Sequence, residues 1–308
     1  MTNDEKILNK YLQQKYDVDK LNPKKIKYLK KVKIIDTDKG TYTLKIKTSN
    51  NNKIYTYLEN RNFENYLPPI NSPKDPYEIY EYIEESEMSK EDKALNLIYI
   101  LSILHTKTTV YENTNLDSIK EIYESNLKEL EYLDYYYHDL QDYIENKVYM
   151  SPEEYLLIRN ITNIYNAISF SREALEKWYN EKLKQTRERQ VLLHNNISTE
   201  HFLLSKDNAY LINWNKAKRG YPIYDLITFF KNEYQDLEFK SLYNLYQKKY
   251  KYTYDEELLF FSLIAKPWKI TFTNNHYNNT IIVTDLIEYI EKGSKLVSKE
   301  NKENQETE

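Results

Sequence analysis

The sequence predicts an α+β protein with a small strand-rich N-terminal part and a larger helical C-terminal part. Residues 31–47 carry two strands, KVKIID and TYTLKIK, around the turn TDKG. Residues 117–185 carry two long helical patterns joined by a short connection. Beyond Pro222 the pattern stays helical through DLITFF, LYNLYQ, EELLFFSLI and TDLIEYIEK. Strands first and helices afterwards indicate segregated layers.

Each element has its own signal. Ile7, Leu8, Tyr11, Leu12 and Tyr16 give a helical spacing over residues 4–17, and Pro23 closes that segment. On the second strand Tyr42, Leu44 and Ile46 alternate with Thr43, Lys45 and Lys47, so one face is polar and carries Lys45. Gly40 falls where the turn favours positive φ. Residues 53–66 read as a short helix carrying Glu59, YLPPI is too proline-rich for a central strand, and YEIYEYIEE reads as a strand entering a linker. Ser89 caps the next helix with Asp92 three residues on. Leu95, Ile98, Leu101 and Leu104 line it, and it ends near His105, a capping or surface histidine.

The strongest helical signal is Ile119, Tyr123, Leu127, Leu130, Tyr137, Leu140 and Ile144. Ser151-Pro152-Glu153-Glu154 starts a second long helix, which makes an antiparallel hairpin of residues 117–185. Lys182, Lys184, Arg187 and Arg189, interspersed with Glu181 and Glu188, read as a solvated helix end. Residues 191–193 form a short strand and 201–214 a second hairpin, with Asp207 in its turn. From Gly293 onward the composition is that of a disordered tail.

Composition removes several function classes. The 308 residues carry 44 Lys and Arg against 48 Asp and Glu, net −4, without the basic footprint that nucleic-acid binding needs. No apolar run approaches the roughly 20 residues of a membrane span. MTNDEKILNKYLQQKYD is too polar for a secretory signal, and without cysteine there is no disulfide framework or thiolate metal site, so a cytoplasmic protein is expected. Gly40, Gly220 and Gly293 cannot form a glycine-rich phosphate cradle. The 33 tyrosines read as core residues with polar tips.

TDKGTYTLK (37–45), YEIYEYIEE before a helix, the LSILHTKT helix end, and HNNISTEHFLL followed by LINWNKAKRGYPIYDLITFF occur in that order. Together they resemble the aminoglycoside/choline phosphotransferase-like kinases, and among them the spore-coat kinase-like proteins of endospore-forming bacteria. The resemblance runs over most of residues 30–290. It implies a two-lobed protein-kinase-like fold, with an N-lobe over 1–85, a C-lobe over 86–292 holding the hairpin and a degenerate catalytic loop at 191–215, and a tail over 293–308. It places Lys45 at the lysine that contacts nucleotide phosphates and Glu59 as its ionic partner. Residues 80–84, with Tyr82 and Ile83, become the linker whose backbone meets adenine. His194 and Asp225 become structural supports of the loop.

The family's loop reads His-Gly-Asp, with Asn five residues after the Asp. Here it reads His194-Asn195-Asn196 with His201 in that last place, and the later magnesium-binding aspartate falls on Asn213. An amide at 196 is no base near neutral pH, which removes a contribution of roughly 10²–10⁴-fold. Imidazole at 201 suits softer metals than magnesium, and an amide at 213 lacks the charge that anchors it. His194, His201 and Glu200 lack the spacing of a zinc site, so no metal is expected. The resemblance therefore implies a pseudokinase: a non-catalytic binding or scaffold protein for another protein, in spore coat formation, with ATP held, if at all, without magnesium. Neither nucleic acid nor membrane is expected as a partner. The other reading left open is a divergent ATP-dependent small-molecule phosphotransferase with a displaced base and metal, Glu200 standing in for the lost carboxylate.

Overall fold

The computed structural model describes residues 25–29, 32–37, 40–48, 50–71, 74–75, 77–206 and 208–297. The helix read over residues 4–17, the turn residue Asp207 and the end of the tail lie outside the described residues. The described chain groups into two compact units. One holds the residues up to Ile100 together with Thr199–Ala217; the other holds Leu101–Ser198 and the residues from Lys218 on.

The first unit is built on an antiparallel sheet of four strands in the order β1 (Lys25–Leu29), β2 (Val32–Thr37), β3 (Gly40–Ile46) and β4 (Tyr77–Glu81). The β2–β3 hairpin is the one the sequence predicts, and Gly40 sits at φ 137°, which L side chains rarely adopt. Strand β1 carries no signal recognised in the sequence. Ile35, Tyr42, Leu44 and Ile79 form the sheet's buried face, while Ile46, placed on that face by alternation, is exposed at the strand end. Helix α1 (Asn52–Asn60) follows β3, and the short strands β7 (Phe202–Leu204) and β8 (Ala209–Leu211) complete the unit. Leu211 is locked in place: its N–H donates to the Asn65 carbonyl at 2.9 Å, and it bridges Tyr66.

Helix α2 (Lys90–Thr108) begins as predicted, with the Ser89 hydroxyl accepting from the Asp92 N–H at 3.0 Å. Ile98, Leu101 and Leu104 are buried as read, together with Ala94, Leu97 and Ile100, whereas Leu95 is exposed.

The second unit contains the helical hairpin α3 (Leu116–Glu145) and α4 (Pro152–Lys182). Glu154 accepts from the Ser151 N–H at 2.9 Å, which closes the predicted start of α4. Beside the hairpin are α5 (Ile223–Glu233), α6 (Phe239–Lys249), α7 (Tyr254–Ala265) and α8 (His276–Val297). Helices α4 and α7 approach closely at two serines, with Ser171 Oγ donating to the Ser262 carbonyl at 2.6 Å and Ser262 Oγ to the Ser171 carbonyl at 2.8 Å. Tyrosines help to fill this core, and Tyr137 donates to the Trp268 carbonyl at 2.6 Å. Helix α8 runs through Gly293 to Val297, residues read as tail in the sequence; Gly293 and Leu296 are buried, so packing holds what composition alone would leave unstructured.

A small antiparallel sheet orders β5 (Val110–Asn113), β6 (Arg187–Leu193) and β9 (Lys218–Gly220). Strand β6 therefore starts four residues before the strand read in the sequence, inside the basic cluster. Lys184 and Arg187 are exposed, as a solvated helix end would have them, but Lys182 and Arg189 are not. Lys182 is buried against Asp255 at 2.9 Å, and the Arg189 guanidinium clamps Glu256 and lies 4.4 Å over the Tyr250 ring. No helix among the described residues is long and apolar enough to cross a membrane.

Candidate functional site

The second face of the four-stranded sheet carries polar side chains because β3 and β4 alternate. Lys45 stands opposite Glu78 and Thr43 opposite Tyr80 in register. A cavity of about 300 Å³ opens on this face, bounded by Lys45, Tyr55, Tyr80, Tyr82, Ile83 and Asn213. The linker residues and the N-lobe lysine picked out in the sequence thus line one space with Asn213.

Lys45 Nζ donates to Asn213 Oδ1 at 2.7 Å. Asn213 is left-handed, φ 67° and ψ 52°, a conformation that asparagine tolerates better than most residues. Its neighbours impose that conformation. Ile212 N–H donates to the His201 carbonyl at 3.0 Å, and the buried Trp214 indole donates to the Leu211 carbonyl at 2.9 Å while packing edge-on against Phe63. Next along, Asn215 Oδ1 accepts from Asn51 at 3.0 Å and its amide nitrogen donates to Thr48 at 3.0 Å. A chain of amides therefore ties the segment after β8 to the end of β3.

Sequence reasoning missed Glu78. It is buried and accepts from the Tyr80 hydroxyl at 2.9 Å. Burial first, then the charges of Tyr55 and Glu78, push the Tyr80 phenol well above its ordinary range, and burial does the same to Tyr55. Both hydroxyls are therefore neutral, and the single Tyr80 O–H is engaged by Glu78. The period-2 pattern of YEIYE, set in register against Lys45, was the signal available. Glu59, assigned as the partner of Lys45, is exposed on α1; the side chain of that helix that reaches the cavity is Tyr55.

The loop after β6 belongs to the helical unit and is organised by Asp225, fully buried on α5. Its carboxylate accepts the His194 N–H at 2.8 Å and the Asn195 N–H at 2.6 Å. It also meets His105 Nε2 at 3.1 Å, while His105 Nδ1 meets the Tyr246 hydroxyl at 2.5 Å. The two ring nitrogens of His105 join the carboxylate to the phenol. His105 is thus a core residue and not the surface cap read in the sequence; its partners lie more than a hundred positions away, beyond any local pattern. Asn195 takes φ 57°, and Asn196 follows it, partly buried. His201 ends a single helical turn, Thr199–His201, and Glu200 beside it is exposed.

Scanned as a sequence, the chain matches no family model and no curated protein. Its structure does match. The aminoglycoside phosphotransferase of Alicyclobacillus acidocaldarius is similar with a TM-score of 0.67, covering 92% of this chain and 93% of that one at 8% identity. The AMP-bound spectinomycin phosphotransferase is similar at 0.52, covering 94% of each chain at 14% identity. The fold is that of the aminoglycoside phosphotransferases. It is a kinase-like α+β fold with its small sheet in the N-terminal region and its helices in the C-terminal part.

Kinase-like phosphoryl transfer uses magnesium held by carboxylate and amide oxygens. At this cavity Asn213 offers a neutral oxygen, which accepts from the Lys45 ammonium.

Proposed function

We propose that this chain is a pseudokinase, a kinase-fold protein that works by binding and does not transfer phosphate. The observation that carries the reading is the hydrogen bond from Lys45 Nζ to Asn213 Oδ1 at 2.7 Å. A neutral amide meets the ammonium at a position where phosphoryl transfer requires a metal-bound carboxylate. Asn196, on the Asp225-anchored loop, is likewise an amide and cannot act as a base. The 300 Å³ cavity keeps a lysine, two tyrosine hydroxyls and the linker residues Tyr82 and Ile83, a suitable lining for a nucleoside-sized ligand. In this reading the ligand sets the shape of a surface that another protein reads, and the sequence resemblance to spore-coat kinase-like proteins directs the search for that protein to the forming coat.

The test is incubation of the purified chain with radiolabelled ATP and hydroxyl acceptors, alongside melting with ATP. The expected result is no turnover and a melting temperature that rises with ATP equally in magnesium and in chelator, by mass action on the native state. Turnover that disappears in Lys45→Ala would overturn the proposal.

A further inference from the structure

The cavity on the second face of the four-stranded sheet takes aliphatic walls from two separate elements. Val32 and Ile34 come from β2, and Leu203 and Ile212 come from β7 and the segment after β8. Side chains of this kind cover the faces of a flat ring and hold it by burial, with no charge required. The third boundary is the linker after β4, and it is pinned twice. Tyr82 N–H donates to the Thr41 carbonyl at 3.0 Å and Ser86 N–H to the Leu204 carbonyl at 2.8 Å. A wall fixed in advance adds little ordering cost on binding.

The polar groups around this space suit hydroxyls better than phosphates. Glu81 and Glu85 line it, and the Lys93 ammonium holds Glu85 in place. Among the described lining residues Lys45 is the one cation, and it already donates to Asn213 Oδ1. Directly across from Lys45 in the β3–β4 register stands Glu78, whose carboxyl group is buried. A triphosphate would bring several negative charges to a lining that offers two carboxyl side chains and one ammonium. Phosphate sites in proteins instead gather Arg or Lys side chains or the N–H groups of a helix N-terminus. An ionised carboxylate is acceptor only, so it repels phosphate oxygens and takes hydrogen bonds from the hydroxyls of a ribose.

We propose that the cavity binds a neutral nucleoside, with its base between the aliphatic walls and its ribose hydroxyls at Glu81 and Glu85, and that 5′-phosphates add no affinity. The proposal rests on the pseudokinase reading, because a transferase must hold the phosphates that this lining leaves unheld.

The experiment is equilibrium titration of the full chain, in chelator, with adenosine, guanosine, cytidine and uridine. The nucleoside that binds best is then compared with its 5′-triphosphate and its 2′,3′-dideoxy form. The nucleoside should bind at least as tightly as its triphosphate. The dideoxy form should bind at least about fivefold more weakly, the effect of one lost hydrogen bond. Glu81→Lys replaces a lining carboxylate with an ammonium and should move the preference toward triphosphate by at least about fivefold. Ile34→Trp fills the cavity from β2 and should weaken nucleoside binding at least about tenfold. Leu203→Trp repeats that change from β7, and melting curves report that each variant is folded. A triphosphate that binds at least about tenfold more tightly than its nucleoside would overturn the proposal. So would the absence of nucleoside binding at millimolar concentration, a dideoxy form that binds equally well, or binding untouched by both tryptophan variants. Phosphoryl turnover is measured separately, so failure of the pseudokinase reading and failure of nucleoside binding are told apart.

Discussion

Lys45 Nζ donates to Asn213 Oδ1 at 2.7 Å, so the side chain that meets the ammonium from the segment after β8 is a neutral amide. Asn213→Asp turns this contact into an ion pair and restores one magnesium ligand, in a left-handed position that aspartate also tolerates. Because the pair is only partly buried, stability should change by less than about 1 kcal/mol. The informative change is in ligand response. Melting with ATP should be indifferent to chelator in the wild type and should depend on magnesium in Asn213→Asp. An identical response in both proteins would show that residue 213 does not govern metal at the cavity.

The Asp225 carboxylate is shared by two backbone N–H groups and one imidazole, all buried. Asp225→Ala leaves those donors without an acceptor, and the expected loss is at least about 3 kcal/mol, read as a lower urea midpoint at unchanged slope. Asp225→Asn keeps one acceptor oxygen but turns an N–H₂ toward a donor, so it should fall between wild type and Asp225→Ala. Equal stability of all three would contradict the anchoring role.

Local patterns exposed much of this architecture. Alternation in TYTLKIK marked the sheet face of Lys45, three-residue caps marked Ser89 and Ser151, and a three-to-four spacing marked the α3–α4 hairpin. Lys45, Tyr82, Ile83 and Asn213 were picked out from motif order, and they meet around one cavity. What stayed hidden depends on partners distant in sequence. Lys182 and Arg189 look like a solvated cluster until Asp255 and Glu256 arrive some seventy positions later. Strand β9 is three residues long, too short for any periodicity, and exists because Val191 pairs with Gly220. A side chain on Gly220 would come within 2.7 Å of the Leu193 Cδ1 methyl, which would have to shift, a close approach invisible in composition.

The buried Lys182–Asp255 pair gives a test that separates charge from packing. Burial alone would raise the Asp255 carboxyl, but the Lys182 ammonium at 2.9 Å outweighs it and holds the carboxyl below its ordinary value. Lys182→Met keeps most of the side-chain volume, removes the ammonium that lies 4.9 Å over the Tyr221 ring and strands the carboxylate, with an expected cost of about 3–5 kcal/mol. Lys182→Met combined with Asp255→Leu should recover most of that loss, since two apolar side chains of similar size leave no buried charge. Urea unfolding of the single and double variants reads the difference. Additive losses would mean that the ion pair is not the coupled element.

Glu153 sets an acid limit on the join between α4 and α8. Burial alone would raise its carboxyl, but His276 Nδ1 at 2.7 Å and the Asn279 amide at 3.2 Å favour the charged form and hold it at about 2. A folded-state value below that of the unfolded chain means that the native state binds the proton more weakly. The associated stability is therefore fully present above the unfolded carboxyl range of about 4.3 and drains away as pH falls from there toward 2. Glu153→Gln removes the titrating group, so its destabilisation relative to wild type should be largest near neutrality and should shrink through that acid window. His276→Ala should bring the Glu153 carboxyl back toward its ordinary value, so that variant should start less stable near neutrality and lose less than wild type as pH falls from about 4.3. Unfolding midpoints in urea, taken at steps between neutrality and pH 3, measure both effects. A Glu153→Gln deficit that stays constant across those steps would mean that Glu153 packs but does not titrate with folding.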